Sequence, residues 1–251
     1  MAGHSKWANI KHRKGAQDAK RSKIFTKIIK ELTVASKEGG GDSESNPRLR
    51  TAIQNAKGAN MPKDTIARAI KKGVSNDSSD YEEVTFEGYA PHGIALFIEC
   101  TTDNNNRTVA NIRAIFSKHG GSLGINGSLE FLFERKSVFT IPIQNIPVDL
   151  DSLEMDLIDS GLESLERYDD IIVIYSDFAN FSDLQQKLEE LEIAVMSAEL
   201  QRIPKDTQAL NLENSKKIMQ MIEKFEEDDD VKNVFHNLEM TEELESDLNI
   251  N

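Results

Sequence analysis

Six residues near the start of the chain, Lys6, Trp7, Lys11, His12, Arg13 and Lys14, gather cations around a single aromatic ring. Cations at that density neutralise phosphates and release their counterions, and an indole can stack on a base. Trp7 also has a structural reading, in which it folds back to staple a helical bundle and the cations are merely solvated. Lys20, Lys23, Lys27 and Lys30 follow, with Arg21 among them. On a helix these four lysines fall within a sector of about 80°. The stripe contains no acid, and only Asp18 and Glu31 lie near its ends. Solvated helix faces usually mix signs to gain i,i+4 pairs, so an unmixed stripe points to a polyanion outside the protein. Arg48, Arg50 and Lys57 carry the cationic set into the next segment.

Other chemistries find less support. His4, His12, His92, His119 and His236 are scattered without ligand spacing, so no metal is expected. Asp228, Asp229 and Asp230 are consecutive, and three consecutive carboxylates cannot all face one ion from a helix; they read as a solvated helix end. Asp103, Asn104, Asn105, Asn106 and Arg107 stand at a strand-to-helix junction. Free N–H groups there could hold an anion beside Arg107, but capping by Asp or Asn is the simpler use. No catalytic motif appears, so neither enzymatic activity, a cofactor nor a small-molecule substrate is expected. Cys100, the single cysteine, ends an apolar run and reads as a small core residue. One cysteine makes no internal disulfide, which suits a reducing compartment.

Charge is distributed very unevenly. Met1 to Gly73 hold 17 Lys+Arg against 6 Asp+Glu, a balance of +11, while the rest of the chain holds 13 against 37, or −24. One end is built to meet something negative, and the other keeps the 251-residue molecule soluble and repels that same target. No run of about 18 uncharged apolar residues exists to cross a bilayer. The basic start also lacks the apolar stretch of a secretory signal, and Arg and Ser do not dominate it as in a mitochondrial presequence. A cytoplasmic protein without a membrane partner is the expectation.

The elements that must position these residues follow from periodicity. Ile24, Phe25, Ile28, Leu32 and Ala35 mark an amphipathic helix from Ala16 to Lys37. Three glycines end it, and Asn46 with Pro47 reads as N-cap and first residue of a second helix, running to about Gly58. Leu49, Ile53 and Ala56 face inward there, leaving Arg48, Arg50 and Lys57 to solvent. A third helix, from near Pro62 to Gly73, turns Ile66 and Ile70 inward and Lys63, Arg68, Lys71 and Lys72 largely outward. At VSNDSSDYEE the chain changes from basic and helical to acidic and strand-rich, which places a boundary there. The body beyond it should fold without the helices. VTFEGYA and IALFIECT read as a hairpin, followed by a helix from about Arg107 to His119 and a strand from Leu129 to Phe133.

From Ser137 the order strand, helix, strand, strand, helix, strand is the split βαβ arrangement of ferredoxin-like domains. A long helix after Pro204 and the strand VKNVFHN have no partner of their own, so they should return to the sheet begun at Val84. The acidic tail beyond Met240 reads as disordered. The expectation is an α+β protein with a basic helical domain over residues 1–76 (a three-helix bundle) and a central α/β domain from segments 77–135 and 205–238. A ferredoxin-like domain is inserted over 136–204, and an acidic tail covers 239–251.

AGHSKWANIKHRK, KIFTKIIKEL, NPRLR, AIQNAKGANMPKDTI, FEGYAP, TDNNNRT, FSKHGG and the closing VKNVFHNLE, in this order, resemble the YebC/PmpR family over nearly the whole chain. The resemblance implies a three-domain cytoplasmic protein described as a probable transcriptional regulator that binds DNA. Mitochondrial relatives act as translational activators, and bacterial members have been tied to ribosomes. This chain departs from the family where a GYGPGG turn is common: here stand Gly88, Tyr89, Ala90, Pro91, His92 and Gly93, which argues against a phosphate cradle in that turn. Leu129, Glu130 and Phe131 also replace smaller residues. Three functions therefore stand side by side: a DNA-binding transcriptional regulator, a translation factor bound to ribosomal RNA, and an acidic scaffold for a protein partner.

Overall fold

The structure, a computed structural model, describes residues 19–75, 80–168 and 170–250. Its first helix, α1 (Ala19–Gly39), buries Leu32 and Ala35 completely and stops at the glycine run, where Gly40 takes φ 84°. Asn46 caps α2 (Pro47–Gly58): its Oδ1 accepts from the Leu49 N–H at 3.0 Å. Its Nδ2 donates backward to the carbonyls of Ala35 (2.7 Å) and Gly40 (2.9 Å), so one buried side chain ties the end of α1 to the start of α2. The third helix, α3 (Lys63–Val74), completes the bundle. Ile53 and Ile70 are only half-buried, and small residues, Ala52, Ala56, Ala69 and Gly73, fill most of the buried positions of α2 and α3 beside Leu49 and Ile66. Small residues do this because they let helix backbones approach; a Cβ on Gly73 would lie 2.4 Å from the Thr33 carbonyl of α1.

Two compact units share the chain. One takes α1 as far as Lys27, then Ser79–Glu134 and the chain from Ile203 onward; the other takes Ile28–Ser78 and Arg135–Arg202.

In the first unit, β1 (Glu82–Tyr89) and β2 (Ala95–Thr102) form the expected antiparallel hairpin, with Phe86 opposite Ile98. His92 and Gly93 turn the chain at φ 65° and 78°. After α4 (Asn105–Lys118), the short β3 (Ser122–Leu123) pairs with β1, and β8 (Val231–His236) pairs antiparallel with β2, giving the order β3-β1-β2-β8. The final strand thus returns to the sheet begun at Val84. Helices α4 and α7 (Leu212–Glu226) cover one face, burying Phe86, Ile98, Ile112, Ile222 and Phe225, with the Phe116 and Phe225 rings 5.0 Å apart. Phe97, Leu129, Phe133 and Phe235 close the other face.

Two expectations fail in this unit. No strand runs from Leu129 to Phe133; a single 3₁₀ turn occupies Glu130–Leu132, and β4 (Phe133–Pro142) starts after it. The cause is Glu87, a buried carboxylate that accepts the N–H groups of Gly127 at 2.6 Å and Leu129 at 2.5 Å. Those amides are bound to a side chain and cannot join a ladder. The acidic tail is not disordered either, since Glu242–Ile250 form helix α8. Leu238, Met240 and Leu244 bury themselves in the core under α7, and Lys216 pairs with Asp247 at 2.8 Å.

The second unit contains the split βαβ arrangement as expected: β4, α5 (Leu150–Ile158), β5 (Leu162–Tyr168), β6 (Ile171–Asp177), α6 (Phe181–Glu190) and β7 (Ser197–Pro204), in the order β5-β6-β4-β7. Phe139, Ile141, Leu153, Leu157, Ile172, Ile174, Leu184 and Leu188 form its core. Helix α2 lies along the edge strand β7, a contact that composition gave no sign of. Asn55 Nδ2 donates to the Ala198 carbonyl at 2.9 Å while its Oδ1 accepts the Ala198 N–H at 2.8 Å, replacing one ladder partner. Gly58 allows this approach, because a Cβ there would lie 1.8 Å from the Met196 carbonyl. Among the described residues, no helix is long and apolar enough to cross a membrane.

Candidate nucleic-acid interface

The cationic residues divide by what the fold does with them. Lys6, Trp7, Lys11, His12, Arg13 and Lys14 lie outside the described residues. Lys20 and Arg21 belong to the first turn of α1. Further along that helix, Lys23, Lys27 and Lys30 are half-buried. Lys23 Nζ donates to the main-chain oxygen of Glu227, and Lys27 and Lys30 each take part in an interaction within the protein. The stripe is thus engaged within the protein at Lys23, Lys27 and Lys30.

Arg48 and Arg50, expected to face solvent, are engaged. Arg48 sends Nε to Glu31 and Nη1 to Glu38, both at 2.8 Å, bridging α2 to two carboxylates of α1. The guanidinium fork suits such double contacts, because its donors are fixed in a plane. Arg50 donates to the carbonyls of Ser43 (3.2 Å) and Glu44 (2.8 Å), bracing the loop before α2. Lys57 is exposed at the end of α2. On α3, Lys63, Arg68, Lys71 and Lys72 are all exposed. Sequence reasoning saw these four as outward but left them outside the binding set; their signal was the near absence of acid between Pro47 and Val74, where only Asp64 stands.

The strand-to-helix junction after β2 is not an open anion site. Asn104 caps α4, its Oδ1 accepting the Arg107 N–H at 3.1 Å. The place an external anion would take belongs to Asp230, whose carboxylate is buried although its run reads as a solvated helix end. Asp230 Oδ2 accepts from Arg107 Nη2 at 2.7 Å, Thr108 Oγ1 at 3.0 Å and Thr102 Oγ1 at 3.3 Å. Hydrogen bonds to Asp230 and then to Asp103 push Arg107 still further above its ordinary value, so it stays charged. Its electrostatic demand is met from inside. Cys100 is buried in the sheet core, as its apolar setting implied. Among the described residues, no His, Cys, Asp and Glu side chains cluster as metal ligands would.

Comparison with known proteins agrees with this architecture. A family model described as "TACO1/YebC protein N-terminal domain" matches residues 5–76, and one described as "TACO1/YebC second and third domain" matches 81–238. A "Probable transcriptional regulatory protein" of Amoebophilus asiaticus is 54% identical over 240 residues, covering 95% of this chain and 98% of that one. Another of the same name from Porphyromonas gingivalis is 50% identical over 232 residues, covering 92% and 96%. The crystal structure of a conserved hypothetical protein from Aquifex aeolicus superimposes with a TM-score of 0.80 at 40% identity, covering 90% of this chain and 93% of that one.

Proposed function

The chain belongs to the TACO1/YebC family, and from that premise we propose that it is a non-catalytic regulator of gene expression that binds nucleic acid through its basic helical domain. The names of its relatives support a regulatory role. The observation that carries nucleic acid as the target is the charge division, +11 over Met1 to Gly73 against −24 elsewhere. A segment so rich in cations is drawn to polyphosphate by counterion release, while the acidic body limits how much of the chain can lie against the same target. The binding residues are the arm Lys6, Trp7, Lys11, His12, Arg13 and Lys14, the α1 cations Lys20, Arg21, Lys23, Lys27 and Lys30, and Lys57 behind them, while Arg48 and Arg50, held by Glu31, Glu38 and loop carbonyls, serve to brace the helices that carry the set. Recognition is sequence-light, since phosphate contacts carry no base information. The protein works in the cytoplasm, without cofactor, metal or small-molecule substrate.

Transcription and translation call on the same surface, and the nucleic acid it retains decides between them. The test is crosslinking in cells with identification of the bound nucleic acid, beside sedimentation of the protein through a ribosome profile. Recovery of promoter DNA supports the transcriptional reading, and ribosomal RNA with co-sedimentation supports the translational one. Recovery of neither, with a protein partner on the acidic body instead, would overturn nucleic-acid binding.

A further inference from the structure

We infer that the outward face of α3, made by Lys63, Arg68, Lys71 and Lys72 with Lys57 beside its start, is a phosphate-docking surface for the nucleic-acid backbone; the inference rests on the nucleic-acid reading above. Internal commitment separates these cations from the others. Of the Lys and Arg residues between Pro47 and Val74, Arg48 is spent on Glu31 and Glu38, and Arg50 on two loop carbonyls. Among the described residues, Lys57, Lys63, Lys71 and Lys72 make no ion pair and are exposed. Arg68 donates to the Asp64 carbonyl at 3.2 Å and to Thr65 Oγ1 at 3.3 Å, neutral oxygens that leave its charge uncompensated.

Helical geometry collects the four α3 cations on one side. At 100° per residue they occupy a half-circle of about 180°, opposite Ile66, Ala69 and Gly73, which are buried. Gly73 and Ala69 fix the orientation: the first would strike the Thr33 carbonyl if it carried a Cβ, and the carbonyl of the second lies 3.5 Å from Thr33 Oγ1. From Lys63 to Lys72 the axis rises about 14 Å, which spans about four phosphates of one strand at roughly 3.4 Å each. The helix dipole accounts for Lys71 and Lys72, which stand in the last turn. It does not account for Lys63, a cation on the first residue, where the dipole disfavours positive charge. Lys63 gains nothing from its own helix, and a phosphate outside would compensate it.

The test uses the full chain and two labelled probes, a 24-base-pair duplex DNA and a 24-nucleotide single-stranded RNA, titrated across salt concentrations. The variant combines Lys63→Gln, Arg68→Gln, Lys71→Gln and Lys72→Gln. A control combining Arg113→Gln, Lys118→Gln, Lys205→Gln and Lys217→Gln removes the same number of charges from exposed positions elsewhere. We expect the slope of log K against log salt to fall by nearly 4 units for duplex or nearly 3 for single strand in the α3 variant, and to stay unchanged in the control. The probe that the wild-type chain binds more tightly at the same salt concentration identifies the preferred backbone. A folded α3 variant with the wild-type slope overturns the inference while leaving nucleic-acid binding intact, as does an equal loss in the control. Absence of wild-type binding to either probe overturns the functional reading itself. Should the quadruple variant unfold, the pair Lys63→Gln and Lys71→Gln tests the same face at half the slope change.

Discussion

Asp230 shows how one side chain can matter more than the run it stands in. Donors from three residues converge on its buried Oδ2, and the Arg107 guanidinium, which donates through both Nε and Nη2, is about half exposed. Removing one member of a fully buried pair costs about 3–5 kcal/mol; water reaches Arg107 here, so Asp230→Ala should cost about 2–4 kcal/mol. Asp103 pairs with the same arginine in the open, and Asp103→Ala should cost less than about 1 kcal/mol. Denaturant titrations of the two variants check this, and equal losses would contradict the division of labour. A second single-residue case is Asn46, whose three hydrogen bonds join two helices; Asn46→Ala should lower stability by about 2–3 kcal/mol in the same assay. The two sites differed in how far the sequence revealed them. Asn46 was legible because a cap and a following proline are local signals. Asp230 was not, because its burial depends on β8 docking beside β2, far away in sequence. The pairing of Arg48 and Arg50 was hidden for a related reason: exposure on a helical wheel ignores the carboxylates and carbonyls that neighbouring elements bring.

Elements were legible where periodicity was regular. The hairpin, the βαββαβ order and the returning final strand all follow from alternation and from the rule that an apolar face needs a partner. What escaped were features set by single long-range contacts: the turn held by Glu87, the α8 helix anchored through Leu244, and the docking of α2 on β7. Gly58 makes that last contact testable by sign. In an exposed helix Gly→Ala stabilises by about 1 kcal/mol, but here the new Cβ meets the Met196 carbonyl at 1.8 Å. Gly58→Ala should therefore destabilise, and a raised melting temperature would refute the close approach. Helix α5 offers a pH test. Hydrogen bonds from the Ser152 N–H (2.9 Å) and Oγ (2.8 Å) hold the capping Asp149 below its ordinary carboxylate value. A carboxylate lowered by folding adds stability that is complete above its unfolded pKa and is lost as pH falls through the folded one. Asp149→Asn keeps a capping oxygen but cannot titrate. The stability difference between wild type and variant should hold above the ordinary carboxylate value of about 4 and shrink as pH falls below it, through the lower folded value. A constant difference would show that Asp149 contributes no charge effect.

At the scale of the whole molecule, charge and packing draw different boundaries. Composition changes at VSNDSSDYEE and marks residues 1–73 as a basic piece separable by charge, yet α2 is stitched to the inserted ferredoxin-like fold. Asn55 satisfies both main-chain groups of Ala198, Thr51 donates to Gln185 Oε1 at 3.1 Å, and Gln185 Nε2 donates to Gln54 Oε1 at 2.8 Å. Cutting at Gly73 would leave β7 as a bare edge, with Ala198 and Gln185 facing water or a second chain. The sheet of β1, β2, β3 and β8 has its own core under α4 and α7, drawn from residues beyond the cut. A chain starting at residue 74 should therefore keep that sheet, while its ferredoxin-like part loses stability and gains a tendency to self-associate through β7. Hydrogen exchange measured by residue reads both effects in one experiment. The Ala198 amide should lose protection by a factor of about 10 or more, as expected for one lost hydrogen bond and an opened edge worth about 1.5 kcal/mol. Amides of Phe97 and Ile98, in the middle of the first sheet, should exchange as in the full chain. Unchanged protection at Ala198 would show that the inserted fold stands without α2, and that the boundary written in the charges is also the boundary of folding.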